Sequence, residues 1–241
     1  MVQTTAFAIF PYPCIRIFEF TRLKLGRLPA YDQVLKIGRE RKGAIFIDLG
    51  CCFGNDVRKA VQDGFPAENT LATDLRRGLW DLGHEMFKST PQSFPTPFLA
   101  SDILNPEFLI PVAPFTKAFP PTTIVPSLTS VTSLNVLHGH VSVLYMGAFF
   151  HLFSETQQEQ IAHALAGLLS PEPESLVIGV HGGELTKGIW SPTGHAYEIF
   201  CHSPDSWKRL WEGKLAVTVF FDMYPGNRDP FHVMEWSVTR L

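Results

Sequence analysis

The feature that most constrains the fold is a repeated alternation of short β-branched segments with segments of helical period. Residues 43–50 (GAIFIDLG), 69–75 (NTLATDL) and 97–104 (PFLASDIL) are strand-like runs, and a helix-like segment follows each of the first two. The pattern continues with strand-like runs at 141–147 and 175–183. Short apolar runs separated by helices predict a parallel sheet, because parallel strands need a crossover connection.

The C-terminal end breaks this alternation. Residues 215–224 (LAVTVFFDMY) and 231–241 (FHVMEWSVTRL) alternate as strands do, and the segment PGNRD between them is typical of a hairpin turn. The sequence therefore predicts an α/β fold, a doubly wound seven-stranded sheet with a C-terminal antiparallel hairpin and helices on both faces. Residues 105–133, rich in Pro, Thr and Ser, predict a long irregular connection on the surface.

Size and composition narrow the classes of protein. The 241 residues suit one α/β core, so we expect a single domain with an N-terminal helical cap (1–42) and a core (43–241). A net charge of −3 and the lack of a Lys/Arg run argue against a nucleic-acid partner. The four cysteines lack zinc or disulfide spacing, and no apolar run is long enough to cross a bilayer. We therefore expect a cytoplasmic, metal-free protein; the sequence leaves a homodimer open.

The first strand ends in a glycine turn, DLGCCFG (48–54). Gly50 and Gly54 allow a sharp turn and a close approach of the backbone to a ligand. Cys52 occupies the place of the middle glycine in the dinucleotide fingerprint, and the Lys and Ser/Thr of a phosphate-binding P-loop are missing. The turn therefore favours a ligand other than a dinucleotide or a nucleoside triphosphate.

Three carboxylates follow the predicted strands at their carboxyl ends. Asp48 lies at the first tip, Asp74 at the second, 24 positions after Gly50, and Asp102 at the third. In doubly wound sheets an acidic residue at the second tip accepts hydrogen bonds from ribose hydroxyls. A carboxylate at the third tip could accept one from an adenine amino group. Three carboxylates at one edge favour a nucleoside without phosphates, since a pyrophosphate would be repelled.

These motifs resemble the first three cofactor motifs of class I S-adenosylmethionine methyltransferases. Three longer stretches are similar to fungal secondary-metabolite enzymes, notably the meroterpenoid-pathway methyltransferases: DLGCCFGNDVRKAVQDGFPAEN, LRRGLWDLGHEMFKS and MGAFFHLFSETQQEQIAHALAGLLSP. The resemblance implies a Rossmann-like fold, a cofactor-binding core over 43–241 and S-adenosyl-L-methionine as the cofactor. It weakens at 105–133 and at 180–183, which border the expected substrate.

The resemblance also implies roles for single residues. It implies that the cofactor is bound by Asp48, Gly50, Cys52, Gly54, Asp74, Leu75, Asp102, Ile103, Tyr145, Met146 and Gly147. Phe149 and Phe150 are candidates for the substrate wall or for the core, and His181 and Tyr12 are further candidates for substrate contact. His151 is the candidate catalytic base, although it could instead orient the substrate or cap a helix, and His181 and His195 are weaker candidates. Tyr12 and Tyr197 could close a lid over the pocket or could be packed on the surface.

The expected reaction is O-methylation of a carboxylate on a small hydrophobic natural-product intermediate, because some members of the fungal group form such methyl esters. A carboxylate is ionised at pH 7 and needs no base, whereas a phenol with a pKa of about 10 would gain from one. Phenol O-methylation or a carbon acceptor stays open. Further alternatives are an NAD(P)-dependent oxidoreductase, and a methyltransferase-like protein that uses its pocket for binding, cyclisation or isomerisation.

Overall fold

The computed structural model describes residues 2–191, 198–212, 215, 223–225 and 232–240. The helices are α1 Val2–Ile9, α2 Pro13–Arg16, α3 Tyr31–Glu40, α4 Asn55–Gln62, α5 Arg77–Met86, α6 Glu155–Leu168 and α7 Pro204–Trp211. The strands are β1 Ile45–Leu49, β2 Thr70–Asp74, β3 Phe98–Ala100, β4 Val141–Gly147, β5 Leu176–Gly183, β6 Gly188–Trp190, β7 Ile199–Cys201, β8 Met223–Pro225 and β9 His232–Thr239.

The main sheet has the strand order β3-β2-β1-β4-β5-β9-β8. Its members from β3 to β5 are parallel, and β9 and β8 are added antiparallel. This confirms a mixed α/β fold with a parallel centre and antiparallel strands at the C-terminal end. The chain leaves β1 toward β2 and leaves β4 toward β5, in opposite directions, so a crevice opens at the carboxyl ends of β1 and β4. Ligands bind at such switch points in open α/β sheets.

Two apolar cores cover the two faces of the sheet. Alternate side chains of β1 enter different cores, since successive strand residues point to opposite faces. Ile47 packs in the cluster that holds Trp207 of α7, whereas Phe46 packs with Val34 of α3 and Val57 of α4. Helices therefore lie on both faces, as predicted, and the carboxyl ends of the central strands are held between two packed layers.

Three features differ from the sequence prediction. The connection over 105–133 is irregular, but it is not confined to the surface, because Phe108 and Leu128 are buried in the main core. Strands β6 and β7 form a separate antiparallel pair that the sequence did not predict. Of the predicted hairpin, the second strand is present as β9, which pairs antiparallel with the three-residue β8; residues 216–222 of the first predicted strand and the turn at 226–231 lie outside the described residues.

The N-terminal segment, predicted as a helical cap over 1–42, contains the helices α1, α2 and α3. Helix α1 packs on α5 through Ala6, which shares a small apolar cluster with Leu79 and Leu82. Between α2 and α3 the chain makes 3-10 turns at Glu19–Thr21 and Leu25–Arg27. No helix in the described ranges is long and apolar enough to cross a bilayer.

Candidate functional site

The glycine turn after β1 has the backbone that the sequence predicts. Gly50 and Gly54 have φ of 72° and 73°, and Cys52 lies between them with φ of 52°. A Cβ on Gly50 would lie 2.5 Å from the Phe149 ring, and one on Gly54 would lie 2.5 Å from Trp80. Both glycines are therefore required by conformation and by space.

Asp74 joins the tip of β2 to this turn. Its Oδ2 accepts the backbone N–H of Cys52 at 2.9 Å, and its Oδ1 accepts that of Arg76 at 2.8 Å. Burial raises the pKa of the Asp74 carboxyl, and the two N–H groups oppose that shift by favouring the anion. Each carboxylate oxygen can accept a second hydrogen bond. The residue is thus placed to receive hydroxyl donors beside the glycine turn.

Asp48, in β1, is more deeply buried than Asp74. It is buried, and its Oδ2 accepts the N–H of Val57 in the first turn of α4 at 3.2 Å. Burial and the nearby Asp56 carboxylate raise the pKa of Asp48 well above its usual value. The side chain therefore ties β1 to α4, and its influence on a ligand would come through its charge state and through the turn that it holds.

The carboxyl end of β3 is exposed to solvent. β3 ends at Ala100, and Asp102 follows it as an exposed residue whose Oδ1 accepts the N–H of Leu104 at 2.9 Å. The N–H of Ser101 donates to the backbone oxygen of Asp74 at 3.2 Å, which brings this segment beside the tip of β2. Leu75 is 50% exposed on the same edge, whereas Ile103 is buried beneath it. The segment that carries Asp102 therefore lies beside the end of β2, at the same edge as Asp74 and Leu75.

The tip of β4 differs from the prediction in the direction of its side chains. Tyr145 was expected to line the ligand site, but its ring is buried against Phe46 and its hydroxyl donates to Asp56 Oδ2 at 2.8 Å. Met146 is buried in the opposite core. Alternation along the strand explains both placements. Gly147, at the end of β4, is partly exposed, and a Cβ there would lie 2.6 Å from the Tyr145 hydroxyl.

The two phenylalanines after β4 have separate environments. Phe149 packs on Gly50 and so borders the glycine turn. Phe150 is fully buried, with ring centroids 4.8 Å from Trp207 and 5.8 Å from Trp236. Both rings belong to the main core, and Phe149 is the one of the pair that lies against the glycine turn.

His151 lies beside β5 in a geometry that argues against a base. Its Nδ1 accepts the backbone N–H of Gly182 at 3.0 Å. Because that N–H can only donate, the neutral imidazole carries its proton on Nε2. Burial, with a smaller effect of the Lys24 charge, lowers the His151 pKa to about 4. The ring is thus a neutral group anchored to β5, which corrects its assignment as the catalytic base.

His181 belongs to the core rather than to a substrate wall. It is 2% exposed, and its Nδ1 accepts the indole N–H of Trp236 at 2.8 Å. The ring also packs edge-on against Trp207, with centroids 4.5 Å apart. Burial lowers the His181 pKa well below its usual value. The earlier expectation of substrate contact is corrected, because packed aromatic rings surround the imidazole.

Tyr12 lies at the nucleoside end of the predicted site rather than at the substrate end. Burial and the Asp74 carboxylate raise the pKa of its phenol to about 12, and Cys52 is among the neighbours that act on it. Its ring is 4.3 Å from that of Phe10, over which the Arg76 guanidinium lies at 4.9 Å. Sequence reasoning missed Phe10 and Arg76; the signal for Arg76 was its place directly after the Asp74 tip. His195 and Tyr197 lie outside the described residues.

The groups at this edge fit a nucleoside carrying a cation better than a metal or a phosphate. The carboxylates of Asp74 and Asp102 accept hydrogen bonds, and the exposed Leu75 offers an apolar surface for a base. In the described part of the chain no three His, Cys, Asp or Glu side chains are grouped to hold a metal ion. The acceptor-rich edge would repel a phosphate.

Comparison with curated proteins gives fungal methyltransferases, which confirms the resemblance noted in the motifs. The chain is 30% identical over 217 residues to the O-methyltransferase phiE of a fungal species (strain ATCC 74256), covering 90% of this chain and 64% of that protein. It is 33% identical over 211 residues to the Asnovolin E/Chermesin D methyltransferase nvfJ of Aspergillus novofumigatus, covering 88% and 66%. The chain thus spans just under two thirds of these relatives. No protein-family model matches it.

Solved structures share the fold at low sequence identity. The 1,6-didemethyltoxoflavin-N1-methyltransferase of Burkholderia thailandensis, bound to 1,6-didemethyltoxoflavin and S-adenosylhomocysteine, has a TM-score of 0.56 at 10% identity, over 97% of this chain and 88% of that one. The [4+2]-cyclase SpnF has a TM-score of 0.55 at 8% identity, over 87% and 79%. Because a transferase and a cyclase share this fold, the fold alone does not fix the chemistry.

Proposed function

We propose that this chain, a homologue of fungal methyltransferases, binds S-adenosylmethionine where the glycine turn meets the tip of β2 and methylates an oxygen of a small hydrophobic molecule. The observation that carries the proposal is the Asp74 carboxylate, held against the turn by the Cys52 N–H. When bound, S-adenosylmethionine supplies a methyl group on a positively charged sulfur. The chain has to bind the cofactor and the acceptor, align the acceptor oxygen with the methyl group, and exclude water.

Different residues at the carboxyl ends of the strands would bind different parts of S-adenosylmethionine. Asp74 would accept the ribose hydroxyls, and the exposed Leu75 and Asp102 would hold the adenine ring and its amino group. Gly50 and Gly54 would let the backbone approach the ligand. These assignments suit a ligand with hydroxyl and amino donors and a net positive charge.

The acceptor that we propose is a carboxylate. The Nδ1 lone pair of His151 takes the Gly182 N–H, so the neutral ring has no second lone pair with which to remove a proton. A carboxylate is already an anion at pH 7 and needs no base, whereas a phenol does. Methyl ester formation by in-line transfer is therefore the reaction that this arrangement favours.

The substrate class follows from the relatives. The name of nvfJ gives asnovolin E and chermesin D as its substrates. For this chain we propose a small hydrophobic natural-product intermediate, in keeping with the resemblance to meroterpenoid-pathway enzymes. Phe149, which borders the glycine turn, would provide an apolar contact for such a molecule.

The test is methyl transfer to a panel of hydrophobic carboxylic acids and their matched phenols, with products identified by mass. We expect methyl esters, formed at a rate that changes little between about pH 6 and pH 9, since the carboxylate stays ionised. His151→Gln, whose amide oxygen can still accept the Gly182 N–H, should retain most of this rate. Transfer only to phenols, or a collapse of kcat in His151→Gln with intact substrate affinity, would contradict the carboxylate assignment.

A further inference from the structure

Residues 9–14, from the last residue of α1 to the first two of α2, lie beside the tip of β2, where the Phe10 ring faces the Arg76 guanidinium. We call residues 9–14 the strap. Two of its aromatic rings, Phe10 and Tyr12, lie with their centroids 4.3 Å apart and their planes tilted by 43°. Tyr12 is half-buried and close enough to Asp74 for that carboxylate to raise the pKa of its phenol. The strap therefore lies beside the β2 tip that carries the carboxylate assigned to the ribose, and Arg76 contacts both.

Both ends of the strap are anchored. At its start Ile9 packs so closely on α5 that a Cβ on Gly78 would lie 2.9 Å from Ile9 Cδ1. At its end the Gln3 side chain of α1 donates to the backbone oxygens of Ile15 and Arg16 at 3.1 and 3.2 Å. These contacts fix α1 and α2 to each other and to α5, and leave the strap as the piece of chain beside the β2 tip.

Arg76 connects the strap to the β2 tip. Its guanidinium lies 4.9 Å from the centre of the Phe10 ring, a cation–π distance, while its backbone N–H donates to Asp74 Oδ1 at 2.8 Å. Its Nε is enclosed and has no hydrogen-bond partner among the residues that the structure describes. An enclosed donor without an acceptor is unfavourable, so this N–H is suited to an oxygen or nitrogen that a ligand would supply.

We infer that the strap is a lid over the nucleoside end of the cofactor, and that Arg76 is a positioning residue which holds it closed through Phe10 and donates from Nε to the nucleoside. The inference rests on the proposed function. The closed strap would hold its aromatic pair beside the nucleoside, with Tyr12 packed on the apolar cluster that also receives Cys52 of the glycine turn. It would slow dissociation of the cofactor and keep water from the ribose.

The experiment measures S-adenosylhomocysteine binding and hydrogen–deuterium exchange on the 241-residue chain and its variants. We expect the ligand to slow exchange across residues 9–14, and Arg76→Ala to weaken binding about tenfold, mainly through faster dissociation, with loss of that protection. Arg77→Ala is the matched control, because Arg77 lies on the same helix, is exposed, and pairs with Asp81 and Phe98 instead. It should bind as the unaltered chain does.

Substitutions of Phe10 test the strap without altering the Arg76 side chain that donates the hydrogen bond. Phe10→Ala should reproduce the faster dissociation and the lost protection, and Phe10→Tyr, which keeps the ring, should restore both. If Arg76→Ala fails to fold, this pair decides the inference. Normal ligand affinity with unprotected residues 9–14 in the unaltered chain, or no difference between Phe10→Ala and Phe10→Tyr, would overturn the strap and leave the proposed function standing. No binding by the folded, unaltered chain would overturn both.

Discussion

Gly43, Gly50 and Gly54 share a left-handed backbone, with φ between 72° and 73°, and differ in what surrounds them. A Cβ on Gly43 would meet nothing within 4 Å, whereas one on Gly50 would meet the Phe149 ring at 2.5 Å. At the scale of single residues this separates two reasons for a glycine. Gly43 is needed for backbone conformation alone, and the other two are needed for conformation and for space.

The glycine comparison predicts a graded loss of stability. Gly43→Ala should lower the free energy of unfolding by about 1–2 kcal/mol, the cost of a left-handed L-residue. Gly50→Ala should lower it by about 1–3 kcal/mol more, because the ring of Phe149 must move. Urea unfolding of the two variants measures the difference. Equal losses would contradict the close packing of Phe149 on the turn.

The sequence predicted the single residues whose role depends on backbone position, and it predicted poorly those whose role depends on side-chain direction. Gly50 and Asp74 follow from a turn and a strand tip, which a motif encodes. Tyr145 and His181 have their ring directions set by Asp56 and Trp236, residues distant in the chain. The spacing of residues along the chain does not show which distant residues Tyr145 and His181 contact, so the burial of these two side chains could not be predicted from the sequence.

At the scale of elements, the buried parallel strands were predictable and the short or irregular ones were not. β1, β2, β4 and β5 are continuous apolar runs bounded by glycine or acidic residues, and the structure places them within one or two residues of the prediction. β6 and β7 have three residues each, too few for a period to show. Helix α1 has no acidic residue in its first turn and no basic residue in its last, so the usual signals of a helix end were missing.

At the scale of the whole molecule, three histidines should make stability depend on pH. Burial lowers the pKa of His151 and of His202 to about 4, and it lowers the pKa of His181 well below its usual value. An unfolded histidine has a pKa of about 6.5. As the pH falls below about 6.5, these histidines bind protons in the unfolded chain but stay neutral in the folded chain. The free energy of unfolding therefore decreases with falling pH until the pH reaches the pKa of the folded histidines. Asp48 and Asp74 have the opposite effect, because burial raises their pKa in the folded chain. Their protonation as the pH falls increases the free energy of unfolding.

His202 allows its share of the pH dependence to be isolated. His202 is buried, and its Nδ1 is 2.8 Å from Ser206 Oγ, a contact that a glutamine amide can replace. Between about pH 6.5 and pH 4, the unfolding free energy of the unaltered chain should fall more steeply than that of His202→Gln, by about 1.4 kcal/mol per pH unit. Urea unfolding across this range measures both slopes. Parallel curves would show that His202 is not held neutral by burial.

The central claim is that the glycine turn and Asp74 bind the nucleoside of S-adenosylmethionine. Calorimetric titration with S-adenosylhomocysteine, with NADP as the comparison ligand, tests it most directly. We expect micromolar binding of S-adenosylhomocysteine alone, a loss of about 1.5–3 kcal/mol in Asp74→Asn, and no change in Asp81→Asn, an exposed acid on α5. Binding of NADP instead, or unchanged affinity in a folded Asp74→Asn variant, would contradict the claim.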